Sequence, residues 1–106
     1  MTANFDDESI QGFEWDDDKN ISNAAKHGID FDDAIQIFYG PVVLSRSDRN
    51  DEERWIAIGA LNTRLIAVIF TKRSGVIRII SARRARKNEE SEYHNAEMGR
   101  STEGQD

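Results

Sequence analysis

The first clear alternation of apolar and polar positions is Phe13-Glu14-Trp15, which reads as a short strand. Asp16, Asp17 and Asp18 follow. A carboxylate there caps free backbone N–H groups and suits the positive end of a helix dipole. The pattern predicts a helix from these residues to about His27, with Gly28 as its left-handed stop. On it, Ile21, Ala24 and Ala25 share a small apolar face, while Lys19, Asn23 and Lys26 share another. Phe13 and Trp15 are expected to help cover the apolar face. Asp30 caps a second, shorter helix, in which Phe31, Ala34, Ile35 and Phe38 recur at i, i+3, i+4 and i+7. Gly40-Pro41 ends it, and its aromatics read as core.

Four extended runs come next. Val42 to Ser47 is the first, followed by a polar loop from Asp48 to Glu53. Arg54 to Leu61 is the second, and Asn62-Thr63 makes a tight hairpin turn. Arg64 to Lys72 is the third. Its centre is apolar on both faces, which predicts a central strand. Arg73-Ser74-Gly75 turns the chain into the fourth, Val76 to Ala82. A last helix is expected from about Arg84 to Ala96. Its apolar positions are few (Ala85, Tyr93, Ala96), so it docks weakly or lies against a partner. The fold class is therefore α+β: a small antiparallel β-sheet meander with two N-terminal helices and one C-terminal helix. Residues 1–11 read as a mobile leader, 12–97 as a single domain and 98–106 as a disordered tail.

Composition adds exclusions. A chain of 106 residues fits one domain. It has no cysteine, which excludes a disulfide scaffold and thiolate metal sites. No apolar run approaches the roughly 18 residues of a membrane span. The polar, acidic start from Met1 to Ile10 is unlike a secretory signal, so a cytoplasmic location is expected.

Charge distribution matters more than the net charge of −6. Acids dominate from Met1 to Glu53 and again after Asn88. Between them, Arg54, Arg64, Lys72, Arg73, Arg78, Arg83, Arg84, Arg86 and Lys87 stand without a single acid. Such a block is either a solvated strand face or a local anion site. The last helix sharpens the choice. Arg83, Arg84, Arg86 and Lys87 crowd its N-terminal end, where each cation costs a few tenths to about 1 kcal/mol. Pairs such as Arg86 with Glu90 recover roughly 0.2–0.5 kcal/mol. An external phosphate would turn this arrangement favourable. Strict alternation puts Ile77, Ile79, Ser81 and Arg83 on one face of the fourth strand and Val76, Arg78, Ile80 and Ala82 on the other. Arg78 among apolar neighbours must then pair with an acid such as Glu14 or Glu53, or await an anionic ligand.

Together these strings resemble a known family. They are Phe13-Glu14-Trp15-Asp16, Lys19, Asn23, Lys26-His27-Gly28, Phe31, Ala34, Phe38, Asp48, Glu53-Arg54-Trp55, Ile58-Gly59 and the run Ile77 to Arg84, ending near Glu89 and Tyr93. The combination, spanning about Phe13 to Tyr93, resembles the BrnT family of bacterial toxins. The resemblance implies a RelE-like fold and a ribonuclease toxin of a type II toxin–antitoxin pair. It implies a partner similar to BrnA, a ribbon-helix-helix antitoxin that binds DNA, neutralises the toxin and represses their operon, in a complex with two of each chain. Two features depart from the pattern: a leader precedes the Phe13-Glu14-Trp15-Asp16 string, and the last helix turns acidic quickly.

A ribonuclease working without metal needs a base for the 2′-hydroxyl, cations for the pentavalent transition state and an acid for the departing 5′-oxygen. No His/Asp cluster has metal-ligand spacing, so no cofactor is expected. His27, at a helix C-terminus, is either the acid or a structural cap, and His94 reads as incidental. Glu53 is the candidate base, or an ion-pair partner of a strand arginine. Arg54, Arg78 and Arg83 are the candidate phosphate ligands. Lys26, Arg84, Arg86 and Lys87 would extend the footprint along RNA, and Trp55 is core or a base-stacking platform. Two other classes stay open: a non-catalytic interaction module whose basic sheet face binds an acidic partner, and a DNA-binding role within the assembled complex.

Overall fold

In the computed structural model, which describes residues 2–4 and 10–104, six strands form one sheet. They are β1 (Thr2–Asn4), β2 (Gly12–Glu14), β3 (Pro41–Arg46), β4 (Trp55–Leu61), β5 (Arg64–Arg73) and β6 (Val76–Arg84), in the spatial order β1-β3-β4-β5-β6-β2. Successive strands β3 to β6 pair antiparallel, and β1 pairs antiparallel with β3. The sheet is nevertheless mixed, because β2 runs parallel to β6. This corrects the expectation of a purely antiparallel sheet. The connection from β2 to β6 spans most of the chain, so no hairpin constrains its direction.

Turn chemistry explains the meander. Ser74 and Gly75 both take positive φ, 50° and 83°, between the paired ends Arg73 and Val76. That conformation matches the twist of a two-residue hairpin. Asn62, at φ 58°, opens the turn between Leu61 and Arg64. The loop after β3 is itself a narrow hairpin. Arg49 and Glu52 exchange backbone hydrogen bonds across Asn50 and Asp51, whose φ values are 49° and 65°.

Helix α1 (Asp17–His27) starts as its sequence requires: the Asp16 side chain accepts from the N–H groups of Asp18 and Lys19. Gly28, at φ 72°, ends it. The second predicted helix is divided into α2 (Phe31–Ala34) and a 3₁₀ segment, Ile35–Tyr39. The change of pitch buries Phe31, Ala34, Ile37 and Phe38, whereas Ile35 is only half-buried. Three-residue spacing from Ala34 to Ile37 is the 3₁₀ repeat. It also seats Ile37 directly on β4: a Cβ at Gly59 would lie 2.9 Å from the Ile37 Cβ and 3.1 Å from a Val42 methyl. Gly59→Ala is therefore expected to cost about 1–3 kcal/mol through overpacking. Urea unfolding at neutral pH measures it, and an unchanged midpoint would contradict this packing.

These helices cover one face of the sheet, where Phe38 meets Phe13 and Phe70 at ring distances of 5.6 and 5.2 Å. Helix α3 (Lys87–Gly104) covers part of the other face. Its Tyr93 is buried against Val43 and Ile58, with Ala96 beside it. It runs past the expected end at Ala96. At the other terminus, Thr2–Asn4 pairs as an edge strand and Ile10 packs against the core, where the sequence suggests a leader. The rest of the leader and tail expectations, at residues 1, 5–9, 105 and 106, lies outside the described residues.

Candidate functional site

A bulge in β6 decides which side chains meet. Ile69 pairs with Ser81 and Phe70 with Ile79, so Ile80 has no cross-strand partner. The extra residue reverses the alternation beyond it. Ile77, Ile79 and Ala82 enter the helix-covered core, and Arg83 moves to the face that carries Arg78. This corrects the expected facing, which put Arg83 with Ile77 and Ile79. A buried guanidinium would have been the outcome without the bulge.

On that face, Arg83 from β6, Arg54 from the entry to β4 and Arg86 from the start of α3 line one cavity of about 440 Å³. Arg49 also lines it, and its floor includes Ile56, Ile69 and Ile80. Arg83 is gripped by Glu89, whose two carboxylate oxygens accept from its two terminal nitrogens at 2.8 and 2.9 Å. Their side chains are only 15% and 9% exposed. Glu89 accepts a further bond from the Arg86 N–H at 2.8 Å. The Arg86 carbonyl accepts the first helical bond from Glu90, so Glu89 closes the N-terminus of α3 in the manner of half a capping box. Of the charges that looked misplaced on the sequence, Arg83 is paired six residues later with Glu89, and Arg86 meets that carboxylate through its backbone N–H rather than pairing with Glu90.

A second cavity adjoins the first through shared walls at Ile80 and Ser81, and is lined on its far side by Lys19, Lys26 and His27 of α1. The helix lies there because β6 has a free edge beyond its short pairing with β2. Buried Asn23 completes that edge. Its amide donates to the Ala82 and Ile29 carbonyls at 2.9 and 3.0 Å and accepts from the Ala82 N–H at 3.1 Å. Asn20 adds a bond from the Phe31 N–H. The face of α1 turned inward is therefore amide-rich, and Ile21 is 68% exposed. This corrects the expected apolar face, because a strand edge needs donors and acceptors rather than methyl groups.

The remaining candidates are dispersed. Arg78 pairs with Glu14 on neighbouring β2 at 2.9 Å, one of the two acids anticipated for it. Glu53 is 71% exposed, lies 3.5 Å from Arg46 and lines a separate cavity with Thr71 and Arg73. Arg54 pairs with Glu52 at 2.7 Å. Arg84 lines a third cavity, on the far side of His27. Lys87 is exposed at the first turn of α3. Trp55 packs against the core and carries Arg46 over its ring at 4.7 Å. Arg46 also grips Asp48, and with the Arg54 N–H it holds that carboxyl below the usual carboxylate range.

Residues 15–89 match the family model of the ribonuclease toxin BrnT of type II toxin–antitoxin systems. The chain belongs to the BrnT family. Among curated proteins, none was found to match it. Membership of a type II family brings an antitoxin partner with it, since the toxin is one half of a pair. Among the described residues, no helix is long and apolar enough to cross a membrane.

Three residues of this BrnT chain that are not among the expected site residues line or brace the site: Arg49 lines it, and Asn23 and Glu89 brace it. Arg49 was hidden among acids and fell outside the basic block. Asn23 reads as a solvated helix residue until the β6 edge is known. Glu89 had a legible signal, an acid three residues after Arg86. Hydrogen bonds from Arg83, then from the Arg86 N–H, pull the Glu89 carboxyl below its ordinary range against the opposing effect of burial. A depressed folded-state value contributes stability above the unfolded carboxylate value, roughly 4.3. That stability is lost as pH falls through the lower folded value. Acid unfolding followed by circular dichroism is expected to be shallower in Glu89→Gln than in the parent chain below about pH 4. Superimposable pH profiles would contradict the pairing.

Proposed function

We propose that this chain is a metal-independent endoribonuclease whose guanidinium cavity holds the phosphate that is attacked. The observation carrying this reading is the convergence of Arg54, Arg83 and Arg86, from three separate elements, on one concave surface. The ribose 2′-oxygen forms a bond to phosphorus and the bond to the 5′-oxygen breaks. The 2′-hydroxyl proton leaves to a base, and a proton reaches the departing 5′-oxygen. The products are a 2′,3′-cyclic phosphate and a 5′-hydroxyl. Arginines in a partly dehydrated cavity stabilise the extra negative charge of the pentavalent state. Arg83 suits this role because Glu89 fixes its fork.

In this reading His27 donates the proton to the departing 5′-oxygen. It is half-buried beside Lys26, in the cavity that shares Ile80 and Ser81 with the arginines. An imidazole ring carries an N–H that can be donated to an oxygen. Glu53 takes no part, since it lines a different cavity. Arg78, held by Glu14 on the same face, and exposed Lys87 extend the RNA footprint. The antitoxin is a ribbon-helix-helix protein similar to BrnA, in a complex of two chains of each, and DNA is contacted only through it.

The test is incubation of the purified chain with single-stranded RNA in EDTA, with product ends identified by mass spectrometry. Cyclic phosphate and 5′-hydroxyl ends are expected. A folded chain that cleaves nothing, or cleaves only with added metal, overturns the proposal. One observation favours a second reading, in which the same face only binds an acidic partner: Glu89 already occupies Arg83 as a partner carboxylate would. Antitoxin binding that is lost in Arg54→Ala and Arg86→Ala, with no cleavage by the parent chain, would establish it.

A further inference from the structure

Two arginines of this acidic chain stand side by side with no ion-pair partner among the described residues. Arg64 opens β5 and Arg84 ends β6. Ile66 is the cross-strand partner of Arg84, so Arg64 lies one diagonal step away on the same face. Arg46, Arg54, Arg78 and Arg83 each have a carboxylate partner, whereas among the described residues none pairs with Arg64 or Arg84. Like charges on neighbouring strands are unfavourable unless an anion joins them.

Both arginines line a cavity of about 310 Å³ whose other polar walls are His27, Asp33, Asn62 and Thr63. Ile29, Leu61 and Ile66 give it an apolar lining. A cavity of this size, at the small end of the roughly 300–1,000 Å³ range of ligand sites, suits one nucleotide. Its position is informative. His27 lines this cavity and also the one that adjoins the Arg54–Arg83–Arg86 cradle.

We propose that the cavity seats one nucleotide of the RNA beside the cleaved bond, with guanine as the preferred base. The inference rests on the cleavage reading above and adds to it a subsite and a specificity residue. Arg64 and Arg84 take the phosphate, because a guanidinium fork matches its oxygens. The base lies on the apolar lining with its edge toward Asp33. A carboxylate only accepts hydrogen bonds, and guanine alone among the four bases presents two adjacent donors, N1–H and the N2 amino group. Asn62 and Thr63, at the hairpin tip, can serve the remaining polar atoms of any base.

The experiment is a titration of the isotope-labelled full chain with 5′-GMP, 5′-AMP, 5′-CMP, 5′-UMP and inorganic phosphate, followed by amide NMR shifts. GMP is expected to move resonances around His27, Asp33, residues 61–66 and Arg84. It should bind about tenfold more tightly than the other nucleotides, as the one extra hydrogen bond to a carboxylate that guanine makes over a base with a single donor implies. Asp33→Asn, which keeps the size of the side chain, should remove that preference. Arg64→Gln with Arg84→Gln should weaken all four nucleotides. Shifts confined to Arg54 and Arg83, equal binding of all four bases, phosphate binding as tight as GMP, or displacement of GMP to no effect while an oligoglutamate peptide binds the cavity would each overturn the inference. A chain that cleaves RNA yet shows no GMP shifts here sinks the subsite alone. One that binds GMP here yet cleaves no RNA sinks the cleavage reading and leaves the nucleotide site standing.

Discussion

Arg83→Ala is expected to lower RNA cleavage by about 10²–10³-fold, the usual loss when one fixed donor to a charge-developing oxygen is removed. The arginine is nearly buried, is oriented by a bidentate carboxylate and shares its cavity with Arg54 and Arg86. Its loss removes a cation and also leaves Glu89 facing the cavity without its main partner. An uncompensated carboxylate repels phosphate, which places the effect toward the upper end of that range. Stability falls too, by about 1–3 kcal/mol, because a largely buried acceptor loses two bonds. Cleavage is therefore measured well below the melting transition, with circular dichroism confirming the fold. Glu89→Gln separates the contributions. It keeps an acceptor for Arg83 and removes the negative charge, so cleavage should fall far less than in Arg83→Ala. Parental cleavage rates in a folded Arg83→Ala chain would end the guanidinium-cradle account.

Those two residues also show what could be read from the chain beforehand. The apolar run at Leu65 to Phe70, the Asn62 and Ser74-Gly75 turns and the Asp16 and Asp30 caps are local signals, and the strands and helices they define lie where the pattern puts them. The α+β class follows from those alone. Failures come where a side chain answers to something distant in sequence. Strict alternation along Val76 to Arg84 is broken by one bulge opposite Ile69 and Phe70, and nothing local marks Ile80 as the extra residue. The inward face of α1 is set by a strand edge 59 residues away in sequence from Asn23. The direction of β2 depends on a strand more than 60 residues later. In the site, the basic block located Arg54, Arg83 and Arg86 by composition. Distinguishing Arg54 from Glu53, neighbours in sequence that line different cavities, required the hairpin geometry between β3 and β4.

Asn23→Ala is expected to be the most destabilising polar substitution in the chain, at about 3–5 kcal/mol. One amide satisfies the Ala82 N–H, the Ala82 carbonyl and the Ile29 carbonyl, and it is 7% exposed. Alanine leaves all three backbone groups without that partner at a largely buried position. A native stability near 5–15 kcal/mol could lose a large fraction to this change. Asn23→Asp tests the geometry rather than the size. Its carboxylate still accepts from the Ala82 N–H but sets oxygen against the Ala82 and Ile29 carbonyls, so it should be no more stable than alanine. Urea unfolding at neutral pH reads both variants. The same contact links folding to chemistry, because Asn23 docks the helix that carries Lys26 and His27 beside Ser81. Under conditions where Asn23→Ala remains folded, cleavage should fall although the residue contributes no charge. A parental unfolding midpoint in Asn23→Ala would mean that α1 is held to β6 by something other than this asparagine, and the placement of His27 would have to be derived anew.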